Sequence, residues 1–161
     1  MIERIISGGQ TGADRAGLDA AMACGIAHGG WCPKGRLAED GPIPERYQLT
    51  ETEGASYLAR TERNVKRSDG TAIITIGELA GGSARTADFA RRHKKPHLHL
   101  RLDGMSDEQA VGSLRDFIAQ HAVRVLNVAG SRAGSEPEIY ERCKTVITVL
   151  LQQASAEQNR V

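Results

Sequence analysis

The chain has 161 residues, 40% of them apolar, and its 21 basic side chains against 20 acidic ones leave a formal net charge of +1. That length fills one core rather than two, and the near-balance of charge supplies no global field for a polyanion, which disfavours nucleic acid as a partner. No apolar run approaches the roughly 20 residues of a bilayer span, Met1–Ile6 enters a strand without a leader, and Cys24, Cys32 and Cys143 suit reduced thiols, so a cytoplasmic protein with no membrane contact and no disulfide is expected.

Strand-length apolar runs alternate with amphipathic stretches of helix length, the pattern of βα units wound into a parallel sheet. Arg4–Ser7 is predicted as the first strand and Asp14–Cys24 as the first helix, closed by Gly25. Ile26–Trp31 reads as the second strand. The capping-box spacing of Thr50 and Glu53 predicts a helix from about Glu51 to Ser68. Thr71–Ile76 follows as a buried strand, Ser83–His93 as a helix ended before Pro96, and His97–Leu100 as the fourth strand. Ser106 and Gln109 again have capping-box spacing and open a helix to about His121. Arg124–Ala129 is the fifth strand. The last helix starts within Ser135–Glu138, with Pro137 tolerated in its first turn, and runs to about Ala154. The expected fold class is α/β, a three-layer Rossmann-like arrangement with a parallel sheet of about five strands flanked by helices. It forms one domain over residues 1–154, followed by a polar tail over 155–161.

Three glycine-bearing bends each follow a strand-like run and open a helix-like run: Gly8-Gly9-Gln10-Thr11-Gly12, Gly81-Gly82-Ser83 with Thr86, and Gly130-Ser131-Arg132. In a parallel sheet all three emerge at one edge. Glycine lets backbone approach a ligand, and a helix start offers unpaired N–H groups with partial positive charge, so the bends together predict an anion-binding crevice suited to phosphate. Ser7-x-Gly9-x-x-Gly12 resembles a dinucleotide fingerprint with serine in place of the first glycine. The acidic residue expected about 20 positions onward for a ribose hydroxyl is missing, because His28-Gly29-Gly30-Trp31 stands there. Lys34 and Arg36 follow instead, which suits a phosphate. Gln10, Thr11, Asp14 and Arg15 add donors and charges along the first bend, and Asn127 places an amide in an apolar strand where it needs a partner, from ligand or from backbone. The plainer readings are tight turns for the glycines and solvated faces for Arg85, Lys34 and Arg36.

Cys32–Tyr47 breaks the βα beat, and the expectation is an ordered loop over the crevice, pinned by Trp31, Ile43 and Tyr47. No Cys, His, Asp or Glu set has metal-ligand spacing and no serine or cysteine sits in a nucleophile elbow, so neither a metal nor a nucleophile is predicted. Asp14 and Asp88, each in a helix first turn, are the candidates for acid–base work, although helix-dipole stabilisation accounts for both.

The segments Ser7-Gly8-Gly9-Gln10-Thr11-Gly12-Ala13-Asp14-Arg15, Gly29-Gly30-Trp31-Cys32-Pro33-Lys34-Gly35-Arg36, Arg60-Thr61-Glu62-Arg63-Asn64-Val65, Gly81-Gly82-Ser83 and Leu126-Asn127-Val128-Ala129-Gly130 resemble the putative molybdenum carrier family. That family lies within the SLOG group of Rossmann-like domains, which includes the cytokinin-activating LOG proteins. The resemblance implies a homo-oligomer that binds the molybdenum cofactor or a nucleotide as its ligand. LOG enzymes cleave a nucleotide's N-glycosidic bond with a Pro-Gly-Gly-x-Gly-Thr-x-x-Glu motif. Here Ala80-Gly81-Gly82-Ser83-Ala84-Arg85-Thr86-Ala87-Asp88-Phe89 lacks the proline, sets the threonine one residue later and has no glutamate three positions beyond it. Two functions are therefore carried forward: a carrier or sensor that binds a phosphate-bearing small molecule without turnover, or a nucleotide-processing hydrolase in which Asp14 or Asp88 activates water. The Arg60–Val65 face reaches the crevice, packs on a neighbouring subunit or is solvated. A DNA-handling role is disfavoured, since six aromatic residues offer little for a stacking track.

Overall fold

Short runs rich in Ile, Val and Ala become the strands of one parallel sheet in the computed structural model, which describes residues 1–160. The elements in chain order are β1 (Arg4–Ile6), α1 (Ala13–Ala23), β2 (Ala27–Gly29), β3 (Trp31–Cys32), β4 (Leu37–Ala38), β5 (Gly41–Pro42) and β6 (Thr50–Glu51). They continue with α2 (Tyr57–Arg67), β7 (Gly70–Thr75), α3 (Gly81–Arg92), β8 (His97–Arg101), α4 (Asp107–His121), β9 (Val125–Gly130) and α5 (Ile139–Gln158). The main sheet has the order β2-β1-β9-β7-β8 with every neighbouring pair parallel, and the fold is α/β and Rossmann-like. Helices α1, α4 and α5 pack together on one face, while α2 and α3 pack together on the other.

Counted from β7 as its first strand, the sheet reads 2-1-3-4-5, a doubly wound order whose chain has been opened at a different place. The last turns of α5 close that circle. Leu150 and Leu151 share a core cluster with Ile2, so α5 returns to the start of β1 as a crossover helix would. The order reverses direction between β7 and β9, and in open α/β sheets the ligand crevice lies outside the carboxyl ends of the strands at such a point.

The larger core lies between the sheet and α1, α4 and α5, where Ile5, Ile74, Leu126 and Val128 meet Ala16, Ala20, Leu114, Cys143 and Ile147. Burying such side chains stabilises the fold by about 1.5–3 kcal/mol for each large one. A smaller cluster of Val65, Phe89 and Ala90 joins α2 to α3. Ser106 caps α4 in a full capping box with Gln109, as its spacing predicted.

Three boundaries differ from the sequence reading. The predicted strand Ile26–Trp31 divides at Gly30, which has φ of +121° and leaves no room for a Cβ beside the Ser7 carbonyl oxygen. Trp31–Cys32 turns away from the main sheet and pairs instead with Thr50–Glu51, so the Thr50–Glu53 box opens no helix. The helix starts later, at Tyr57, where the Ser56 hydroxyl accepts from the Ala59 amide. The last helix starts at Ile139 and is helical through Gln158, four residues past the predicted end. Residues 33–49 carry a small hairpin, β4–β5, and Ile43 and Tyr47 from this stretch are buried with Leu18 and Cys32. No helix among the described residues is long and apolar enough to cross a membrane.

Candidate functional site

A cavity of about 430 Å³ opens at the carboxyl ends of β1, β9 and β7, the three central strands. All three glycine bends reach it: Gly8 and Gln10 from the first, Gly81, Gly82, Ser83 and Thr86 from the second, Gly130, Ser131 and Arg132 from the third. Asp14 and Asn127 line it from α1 and β9, and Arg60, Thr61 and Asn64 from α2. Glu78 and Glu136 complete the wall.

The bends differ in what they offer. Along the first, the Gly9 amide donates to Ser7 Oγ at 3.3 Å, Gln10 to the Asp14 carboxylate at 3.2 Å and Thr11 to Gln10 Oε1 at 3.0 Å. The start of α1 is closed by the Ser131 carbonyl, which accepts from Ala13 at 3.1 Å. Along the third bend the amides of Ser131, Ala133, Gly134, Ser135 and Glu136 are likewise bonded within the chain. Most backbone donors of these two bends are thus engaged within the chain, by carboxylate, hydroxyl, amide and carbonyl oxygens, while the amides of Gly12 and Arg132 have no acceptor among the described residues. The start of α3 is different. Its N-cap Ala80 has no side chain to cap the first turn, and the amides of Gly81 and Gly82 have no acceptor among the described residues. Those are orphan donors at the positive end of a 12-residue helix.

A buried ion pair forms the next feature of the wall. Arg60 is 7% exposed and Asp14 8%; Arg60 Nη1 donates to the Gly8 carbonyl at 2.9 Å and lies 3.4 Å from Asp14 Oδ2. Arg60 Nε donates to the Tyr57 carbonyl, and Nη2 has no partner among the described residues. Burial pushes the Asp14 carboxyl above its ordinary range, further than Arg60 and the amides of Gln10 and Gly8 draw it down. Glu136 behaves in the opposite way. Partial burial raises it, yet the Ser131 hydroxyl and the amides of Gly77 and Ile76 together carry it below the usual glutamate range. Its two oxygens accept those amides at 2.7 and 3.0 Å, so the backbone donors at the end of β7 are also filled from within.

A family model for the circularly permutated YpsA SLOG family matches residues 5–151. The chain belongs to that family. The strand order described above, 2-1-3-4-5 when counted from β7, accords with a permuted chain. The fold is also similar to a crystal structure at 1.45 Å of a protein named "Putative molybdenum carrier protein" from Syntrophus aciditrophicus SB, with a TM-score of 0.91 and 53% identity over 93% of this chain and 95% of that one. No curated protein matches the sequence.

Within this permuted SLOG fold, several residues expected at the site lie elsewhere. Arg36 is corrected from an anion contact to a strap, since its guanidinium donates to the carbonyls of Ile43, Pro44 and Tyr47 at 2.8–3.1 Å and holds the Cys32–Tyr47 segment together. Lys34 is exposed in that segment, and none of residues 32–47 lines the cavity, so the segment is not a cover for it. Its nearest link is the hairpin tip. Asp40 pairs with Arg15 at 2.6 and 2.8 Å, and Glu39 accepts from the Thr11 hydroxyl and from the Gly134 amide. That commits Arg15 and Thr11 to scaffolding. Gly9 and Gly12 shape the bend without lining the cavity. Asp88 is corrected as well: it pairs with Arg91 at 2.6 Å on the exposed side of α3, away from the cavity. Asn127 Nδ2 donates to the Thr71 hydroxyl at 3.2 Å, which answers where part of its amide is satisfied.

Arg60, Glu78 and Glu136 were not among the expected ligand contacts. The Arg60 and Asn64 spacing on one face of α2 was legible, but its destination was not. Gly8 is the decisive neighbour, because a Cβ there would overlap the Arg60 guanidinium, and glycine at that position says nothing about which side chain fills the space. Asn64 has a structural duty, exchanging hydrogen bonds with the Trp31 backbone at 2.9 and 3.0 Å where the chain leaves the main sheet.

Proposed function

We propose that this protein binds a phosphate-bearing small molecule, the molybdenum cofactor or a nucleotide, in the switch-point cavity and serves as a carrier or sensor without chemical turnover. The observation that carries this reading is the pairing of two unfilled donor sets on one cavity: the first-turn amides of α3 and the free Nη2 of the buried Arg60. Helix-start amides and guanidinium are the groups that recognise phosphoryl oxygens. A volume of about 430 Å³ suits a nucleotide- or pterin-sized ligand, since small-molecule pockets run from about 300 to 1,000 Å³. The similarity to a protein named as a molybdenum carrier adds weight to the pterin.

The hydrolase reading has less support. Asp88 is outside the cavity and the Asp14 carboxylate is engaged by Arg60 and two amides, so neither stands free to activate water. Calorimetric titration with nucleoside monophosphates, the corresponding nucleosides, inorganic phosphate and molybdate tests the proposal, alongside phosphorus and molybdenum analysis of protein purified from its native host. Binding that requires the phosphoryl group, with no base released on prolonged incubation, is the expected result. Steady release of base, lost in Asp14→Asn, would overturn it in favour of the hydrolase.

A further inference from the structure

Gln10 lines the cavity, is 7% exposed, and its Nε2 is the buried side-chain polar atom that lacks a hydrogen-bond partner among the described residues. Its orientation is set by its neighbours. Oε1 accepts from the Thr11 amide at 3.0 Å and from the Glu39 amide at 2.9 Å, whereas a flipped side chain would set an NH2 group against two N–H donors. Nε2 is thus the end left without a partner. A buried donor with no acceptor forfeits the hydrogen bond that water would give it, so a guest that supplies an acceptor there gains more than it would at an exposed amide. The other unfilled groups on this cavity, the Gly81 and Gly82 amides and Arg60 Nη2, are donors too, which calls for a guest rich in acceptor oxygens.

We infer that Gln10 is a specificity-determining donor for an oxyanion oxygen of the ligand, and that filling this bond is coupled to the β4–β5 hairpin through the Glu39 amide. The inference rests on reading the cavity as an anion site. Hydrogen-bond polarisation supplies the coupling: an amide that donates to an anion becomes a stronger acceptor at its oxygen, and that oxygen holds Glu39. Glu39 in turn grips the Thr11 hydroxyl and the Gly134 amide, so one ligand contact tightens the hairpin tip against both the first and the third bend. The oxyanion is either the phosphoryl group of an organic ligand or a free tetrahedral anion.

Gln10→Glu is the discriminating variant. A carboxylate keeps an acceptor for the Thr11 and Glu39 amides but turns a second acceptor, with charge, toward the anion. Wild type and variant are titrated with inorganic phosphate, molybdate, adenosine monophosphate and adenosine, and exchange of the Glu39 amide is followed by NMR with and without each probe. The inference expects a loss of about tenfold or more in affinity for the oxyanion probes in Gln10→Glu, and slower Glu39 exchange when wild type is loaded. Response to phosphate or molybdate alone identifies a free anion; response only to the monophosphate identifies the phosphoryl group of an organic ligand. Wild-type binding with equal affinity in Gln10→Glu and unchanged Glu39 exchange overturns the inference while the anion site stands. Failure of wild type to bind any probe overturns both. Should the variant not fold, the wild-type exchange measurement decides alone, and unchanged Glu39 protection on binding defeats the coupling.

Discussion

Two helices, α1 and α3, begin just after central strands of the same sheet, both behind glycine-bearing bends, and they end up as opposites. Neither helix has a side-chain N-cap, but the start of α1 is crowded: Asp14 accepts from the Gln10 amide of its own bend, the Ser131 carbonyl accepts from Ala13, and Arg60 fills the space beside Gly8. The start of α3 is open, with no cap and with free space around Gly81 and Gly82. Similar glycine bends before two helices thus end differently: one bend's donors are partly answered by a carboxylate of the chain itself, while the other's first-turn amides stay unfilled.

The contrast can be broken from the closed side first. Asp14→Ala leaves the buried Arg60 guanidinium and two bend amides without their acceptor, and stripping one partner from such a pair costs about 3–5 kcal/mol. Urea denaturation should show a correspondingly lower midpoint; a midpoint near wild type would mean that α1 does not depend on its internal anion. Gly12→Ala comes next. Gly12 has φ of +83° and no room for a Cβ against the Ser131 backbone, so a loss of about 3 kcal/mol is expected in the same assay.

On the open side the same kinds of change have different results. Gly82→Asp places a carboxylate in free space within the first turn, where the dipole favours it by about 0.3–1 kcal/mol, yet it occupies the seat proposed for the ligand. Thermal stability held or raised, with affinity for the phosphate-bearing ligand reduced about tenfold, is the outcome that sharpens the contrast. Unchanged affinity would remove α3 from the site. Gly82→Ala should raise stability by up to about 1 kcal/mol through helix propensity alone, with affinity retained.

The smallest effect expected is a pH slope. Asp14 has a raised folded-state value, so as pH falls it takes up a proton earlier than an unburied aspartate does. Arg60 then loses its counter-charge and the cavity becomes one unit more positive. Anion affinity should rise as pH falls across this window, and the slope should vanish in Asp14→Asn, measured by titration at several pH values. For folding, the folded state's preference for protonated Asp14 contributes stability that is fully present below the ordinary aspartate value and is lost as pH rises through the folded value.

Much of the fold was readable because the strands are continuous apolar runs and the breaks between them carry glycine or proline. The convergence of residues 8, 81 and 130 was readable for the same reason, since it needs only parallel strands that lie side by side. What could not be read was the distribution of partners. Thr50 and Glu53 have the spacing of a cap, but Trp31–Cys32 competes for that backbone and wins it as a strand partner. Lys34 and Arg36 look alike as cations in an irregular loop, and only the folded loop shows that one faces water and the other binds three carbonyls. The role of Arg60 depends on contacts across 52 and 46 residues of sequence, to Gly8 and Asp14, which no local pattern encodes.

The permuted strand order has a practical side. Because all five main strands point the same way, Met1 and the last turns of α5 sit at the edge of the sheet where strands begin, and the cavity sits where they finish. An affinity handle or a sensor-chip linkage at Met1 is therefore kept a strand's length from the mouth. Tethered protein should take up soluble ligand as freely as untethered protein does.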